Sequence, residues 1–277
     1  LLLIFGVLFA LPDNNLHLIF CDVGQGDAIL VSRGSQQILV DGGPNNKVLG
    51  CLSDNLPFWD RTIEMIVLTH PEADHLTGLI SVLERYSVKQ LISSSLVKDS
   101  PVFTEFRQRI IKNKIPVYSP KMGDQIKIAG LVLKILWPEN KLGNELVWRN
   151  EADLKVLGIE AFSGNFNQTA IVSQLSFGQF DALLTGDIGF EQENQIQTET
   201  VEVLKVAHHG SKYSTAAEFL EKTKPQLAVV LVGRNNYGHP SLEVLDRLTS
   251  RGIKFSRTDL NGEVEIVSDG KRWWLKD

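Results

Sequence analysis

Four apolar runs in this chain of 277 residues end in side chains that can bind a metal ion. Ile63–Leu68 runs into Thr69-His70, and Ala182–Thr185 into Gly186-Asp187. Val203–Ala207 runs into His208-His209-Gly210-Ser211. Leu227–Val232 leads through Gly233 and Asn235-Asn236 to Tyr237-Gly238-His239-Pro240. Runs of this kind bounded by Gly and Asp read as strands. Counted together, five of the six histidines cluster at such strand ends. His17 is the exception and reads as structural.

Further strands are predicted at Leu16–Phe20, Ala28–Ser32, Gln37–Val40, Met65–Thr69, Gln90–Ser93, Leu131–Trp137, Thr169–Phe177 and Asp181–Thr185. Helices are predicted at Asp74–Tyr86, Thr104–Asn113, Ala216–Thr223 and Ser241–Ser250. Leu242, Leu245 and Leu248 form a stripe at helical spacing, the pattern of a core-facing side. Early strands come in a run and later ones alternate with helices, which is the α/β habit. No linker composition divides the chain, so a single domain is expected. The polar stretch Glu139–Asn167 is long for a loop in a compact domain and reads as functional or mobile.

The chain is 43% hydrophobic, enough for a large core, and its net charge is −5. That balance excludes coating nucleic acid by bulk charge. It leaves a nuclease open, because metal ions can supply the charge a phosphate needs. Cys21 and Cys51 fit no Cys-x-x-Cys pattern and cannot build a disulfide framework; both read as small core residues. Leu1–Pro12 is apolar, shorter than the roughly 20 residues of a membrane span, and lacks the basic start of a signal peptide. It reads either as a buried first strand or as the end of a transmembrane helix leaving through Asp13-Asn14-Asn15.

In Thr69–His75 a strand end meets a helix start, so His70, Glu72, Asp74 and His75 can converge on one point. Imidazole with carboxylate suits zinc, manganese or iron. Helix entry alone would explain the acids, through the helix dipole, but not the two histidines. Asp187 is the natural carboxylate to bridge two ions. A Gly-x-Ser-x-Gly elbow is absent from the sequence. Asp22–Asp27 is glycine-rich but has no Gly-Lys-Ser/Thr, so it fails as a phosphate loop, and no nucleotide cofactor is expected. A tight turn pinned by Asp27 fits better.

In order along the chain, Asp22–Ala28, Leu39–Gly43, Thr69–His75, Leu184–Asp187 and Lys205–Ser211 resemble the metallo-β-lactamase-like domain of the ComEC DNA-uptake proteins. Asn236–Pro240 and Thr258–Gly262 fit the same pattern. The resemblance covers residues 16 to the end. It implies a four-layer αβ/βα sandwich of two mixed sheets, with the metal site at the edge between them. It also implies phosphodiester hydrolysis on DNA during competence. Carried over by position, His70, Glu72, Asp74, His75, Asp187 and His208 are the metal set, with Asp74 also catalytic. His239 is a further ligand or a proton donor to the leaving oxygen, and Asp41 orients a ligand histidine. Asp27, His209, Ser211 and Lys212 fall to supporting or substrate roles.

Two departures matter. Glu72 stands where the superfamily has His, and Asn167-Gln168-Thr169 occupies the region of its usual middle histidine. Both thin one metal site of nitrogen ligands. One or two divalent ions are expected, manganese or zinc, with magnesium as a further candidate. The resemblance also favours Leu1–Pro12 as the end of a membrane helix, with residues 13–277 as the hydrolase domain. The domain then lies on the extracytoplasmic side of the cell membrane beside the competence channel region, DNA being its substrate. A secreted or periplasmic relative is the alternative. Lys205, Lys212, Arg234 and Tyr213 are candidates for holding phosphates and stacking a base. Two other readings compete: a lactone, ester or β-lactam hydrolase of the same fold, and a degenerate domain that keeps metal for stability.

Overall fold

The computed structural model describes residues 12–148 and 161–276. The apolar run Leu1–Leu11 and the middle of the polar stretch, 149–160, lie outside them. Two mixed sheets form the centre. The first, in spatial order, is Trp273–Leu275, Val264–Ser268, Leu16–Phe20, Ile29–Arg33, Gln36–Val40, Met65–Leu68, Leu91–Ser93 and Val117–Tyr118. The second is Lys254–Arg257, Leu227–Val230, Val203–Lys205, Phe180–Leu184, Val172–Phe177, Leu131–Trp137 and Gln125–Ile128. Each is parallel at one end and antiparallel at the other.

Alternation along the strands builds the layers. In Leu16–Phe20, Leu16, Leu18 and Phe20 pack between the sheets against residues such as Leu133, Leu175 and Leu231. Ile19 faces the other way, toward helices. Those helices are α1 (Val48–Asn55), α2 (Ala73–Arg85) and α3 (Pro101–Lys112). The second sheet turns Leu183, Leu204 and Val230 toward α4 (Ala217–Thr223) and α5 (Leu242–Ser250). Helix, sheet, sheet and helix make the expected four-layer αβ/βα sandwich. With period-2 burial, each sheet strand feeds two cores at once.

Several local causes are visible. Ser100 caps α3 by accepting from Phe103 N, with Pro101 at the first helical position, and Ser241 caps α5 through Val244 N. The buried side of α5 is Val244 and Leu248, whereas Leu242 is 74% exposed. The leucine stripe therefore misplaced that helix's core face at its first turn. Cys21 and Cys51 form a disulfide across 5.8 Å between Cα atoms, which corrects the reading of two separate core cysteines. Both sit in the core that α1 shares with the end of the Leu16–Phe20 strand, so their proximity comes from tertiary packing.

Candidate metal centre

The parallel strands of both sheets point their carboxyl ends at one edge, where α/β folds place their sites. Gln36–Val40 delivers Asp41 there, and Met65–Leu68 delivers Thr69-His70. From the second sheet, Phe180–Leu184 delivers Asp187, and Val203–Lys205 delivers His208 and His209. The sheets are joined here by Ile171 N donating to Thr69 O at 2.9 Å. Helix α2 begins at the same edge, so Asp74 and His75 lie in its first turn. It sits so close that a Cβ on Gly78 would lie 1.9 Å from Gly42 O.

Asp74, His75, Asp187 and His209 offer ligand atoms that all lie within 4.8 Å of one another. Asp187 Oδ2 is 3.3 Å from His75 Nε2 and 3.2 Å from His209 Nε2, and Asp74 Oδ2 is 3.5 Å from the latter. Behind them, His75 Nδ1 meets Asp41 Oδ2 at 2.8 Å, and His209 Nδ1 meets Leu231 O at 2.8 Å. Asp41 also accepts from Thr69 N and Thr69 Oγ1. These partners fix which ring nitrogen faces the cluster. The Nε2 atoms of His70, His75 and His209 are buried with no hydrogen-bond partner among the described residues. Three buried, unpaired imidazole nitrogens beside carboxylates fit a divalent ion, since leaving such atoms unmatched is costly.

Charge points the same way. Asp27, Asp41 and Asp187 surround a buried ammonium, Lys205, which touches Asp27, Asp187 and Gly186 O. Burial alone would lower the Lys205 pKa, but Asp27 and Asp187 outweigh it and raise it. Burial likewise opposes charge on His75 and His209, yet Asp187 and its neighbouring carboxylates push both well above the ordinary range. The carboxylates thus favour positive charge at this point, whether from a proton on the imidazoles or from a bound cation. His70 is the contrast: burial holds it neutral, with its pKa down to about 3.

Three residues of the site hold left-handed backbone: Asp41 (φ 58°), His208 (φ 50°) and His209 (φ 52°). For histidine this costs about 1–3 kcal/mol per residue and persists only where surroundings enforce it. His208 N donates to Gly186 O and Ser211 N to His208 O, closing the turn.

The expected site residues divide. Asp74, His75 and Asp187 come together, and His70 lies beside His75 with ring centres 4.1 Å apart and the rings tilted by 53°. His209 occupies the place in the group that sequence position gave to His208. The His208 Nε2 is 3.9 Å from Asp187 Oδ2 and 3.2 Å from Asn167 Nδ2. Glu72 is not in the group; its carboxylate is ion-paired with Lys98, whose ammonium also lies 5.2 Å from the Phe166 ring centre. His239 stands at the rim, 5.6 Å ring to ring from His208, with burial bringing its pKa down to about 4. Asp27 and Asp41 lie behind the imidazoles. Ser211 is buried, and Lys212 is exposed over the Tyr213 ring. Lys205 is fully buried under the site, so it cannot meet a substrate phosphate. Sequence reasoning missed its role because a lysine after an apolar run reads as a strand-end surface residue.

A family model described as the metallo-beta-lactamase superfamily matches residues 21–234. The chain is 26% identical to ComE operon protein 3 of Bacillus subtilis (strain 168), over 88% of the chain and 32% of that protein. It is 24% identical to competence protein ComA of Neisseria gonorrhoeae, over 93% of the chain and 33% of that protein. The chain thus spans about a third of the length of these curated relatives. Among solved structures, the metallo-beta-lactamase fold protein YhfI of Bacillus subtilis superposes with a TM-score of 0.56. That pair shares 9% identity, over 94% of this chain and 100% of YhfI.

Proposed function

Because the chain belongs to the metallo-β-lactamase superfamily and carries the ligand set of a metal-dependent hydrolase, we propose that it is a phosphodiesterase that cuts DNA during competence-type uptake. The observation that carries this reading is the group Asp74–His75–Asp187–His209, buried except for the part-exposed Asp74, in a chain one of whose relatives is named competence protein ComA. Those four side chains would hold one divalent ion, and His70 is the nearest candidate ligand for a second. Such an ion lowers the pKa of water and polarises a phosphoryl oxygen. The mixture of carboxylate and imidazole suits manganese or zinc, with magnesium as a further candidate.

The chain's own groups supply the rest. Asp41 and Leu231 O hold His75 and His209 in the tautomer that presents Nε2. Lys205 keeps Asp187 and Asp27 in place from below. His239 stands at the rim with burial holding its ring neutral, so it would serve there as a further ligand or as a hydrogen-bond partner of a substrate oxygen rather than as a standing proton donor.

Location follows the same relatives. We place the domain on the extracytoplasmic side of a membrane, beside a membrane-embedded channel region. The disulfide Cys21–Cys51 suits an oxidising compartment. Among the described residues no helix is long and apolar enough to cross a membrane. The test is cleavage of single- and double-stranded DNA with Mn²⁺, Zn²⁺ or Mg²⁺ added, with His75→Ala as control. Cleavage by the folded wild type and its loss in the variant support the reading. A folded protein that cuts neither DNA with any of the three ions overturns it.

A further inference from the structure

We infer that Tyr213 and Tyr237 are base-stacking residues that make an unpaired, base-bearing strand the preferred ligand of this site. Both rings are exposed, at 66% and 77%, although each rides on a loop held firmly in place. The backbone around Tyr213 is fastened from two sides. Arg247 donates to Lys212 O, Ser214 O and Thr215 O, while the buried Glu193 accepts from Thr215 N and Ala216 N. Phe190 N donates to Tyr213 O itself. The Tyr237 loop is pinned by Asn235, which accepts from Tyr237 N and His239 N and donates to Gly233 O and His239 O. A stiff backbone that presents an exposed aromatic ring is preorganised for a ligand, because little ordering remains to be done on binding.

Their placement says what that ligand is. Tyr213 divides two clefts that open beside the metal centre. One, of about 330 Å³, reaches Asp187 and His208; the other, of about 430 Å³, reaches His239 and Tyr237. A strand crossing the metal centre therefore passes an aromatic face on the way. The Lys212 ammonium lies over the Tyr213 ring, 5.0 Å from its centre; a base stacking on that face would displace it and free the charge for a neighbouring phosphate. Aromatic faces take any base, but only where the base is not already stacked within a duplex.

This rests on the phosphodiesterase reading for the reaction alone; the stacking itself is a binding property. The experiment is fluorescence anisotropy with a labelled oligothymidylate of about 8 nucleotides, within the usual span for such sites. An abasic strand of equal length and a blunt duplex serve as comparison probes. Ca²⁺ replaces the catalytic ion, and probe integrity is checked on a gel. Tyr213→Ala and Tyr237→Ala are each expected to weaken oligothymidylate binding about five- to a hundredfold, while Phe at either position keeps it near wild type. Wild type should bind the abasic strand as weakly as the double alanine variant binds the base-bearing one. Equal wild-type affinity for base-bearing and abasic strands overturns the proposal, as do Phe variants as weak as the Ala variants. Tyrosine-dependent binding in a protein that cleaves no DNA would sink the phosphodiesterase reading and leave this one standing. Cleavage without any dependence of binding on the tyrosines would do the reverse.

Discussion

His17 and His75 are each held between two carboxylates, yet the two settings ask for different partners. His17 has Glu265 at 2.6 Å on Nδ1 and Asp13 at 2.9 Å on Nε2, with both nitrogens bonded and its side chain 21% exposed. His75 has Asp41 at 2.8 Å on Nδ1 and Asp187 at 3.3 Å on Nε2, but it is fully buried. Its Nε2 makes no hydrogen bond, and Asp74 and His209 crowd the same space. One proton completes the first arrangement. The second gathers more negative charge and more unpaired nitrogen than a proton can match, which is the setting of a divalent ion. A histidine between two carboxylates is thus a part-exposed clasp in one place and a candidate metal site in the other, decided by burial and by what lies behind it.

The strongest way to break this contrast is to remove the cation beneath His75's cluster. Lys205→Met leaves Asp27 and Asp187 without their buried ammonium and should cost about 3–5 kcal/mol of unfolding free energy in metal-free protein. Urea denaturation at pH 7 measures it, and a loss below about 1 kcal/mol would show that the buried carboxylates do not depend on Lys205. Next, Asp41→Asn keeps a side chain that tolerates left-handed backbone but loses the carboxylate behind His75. Metal affinity should fall about 10- to 100-fold in a chelator competition. An unchanged affinity would mean that the imidazole is oriented by packing alone.

Smaller effects mark the clasp and the outer part of the site. The hydrogen bond to Glu265 raises the His17 pKa against burial, with help from Asp13. Its stabilising contribution is therefore full below about pH 6.5, the unfolded value, and lost as pH rises through the folded one. Being partly exposed, it should contribute no more than about 1 kcal/mol. Thermal melts across that window should show the slope in wild type and a flatter one in His17→Gln, with or without metal. A slope that disappears when metal is added would tie His17 to the site after all. Finally, Glu72→Gln should change metal affinity by less than about fivefold, because Lys98 already holds that carboxylate. A larger loss by isothermal titration would return Glu72 to the ligand set.

Much of the fold was readable because periodicity and burial agree. Leu16–Phe20 and Leu131–Trp137 appear as strands with the predicted bounds, and α2 begins within a residue of the predicted Asp74. Helix α1 went unread, being short and without a capping side chain. The edge strands Gln125–Ile128 and Lys254–Arg257 are too polar for an apolar run to announce them. In the site, Thr69–His75 was legible because two histidines in a strand-to-helix turn have few structural uses. The exchange of His208 for His209 was not. The residues are adjacent, and which ring turns inward depends on two left-handed backbone positions that residue types alone do not specify. Nor were the Lys205 anchorage and the Cys21–Cys51 bond, which join segments brought together only by the packed fold.

The most direct test compares His209→Ala with His208→Ala for bound metal. Each protein would be loaded with Mn²⁺ or Zn²⁺, desalted and analysed by inductively coupled plasma mass spectrometry, with circular dichroism to confirm folding. Since Asp74, His75, Asp187 and His209 bring their ligand atoms together, His209→Ala should lose the ion while His208→Ala retains it. Metal retained in His209→Ala and lost in His208→Ala would contradict the assignment.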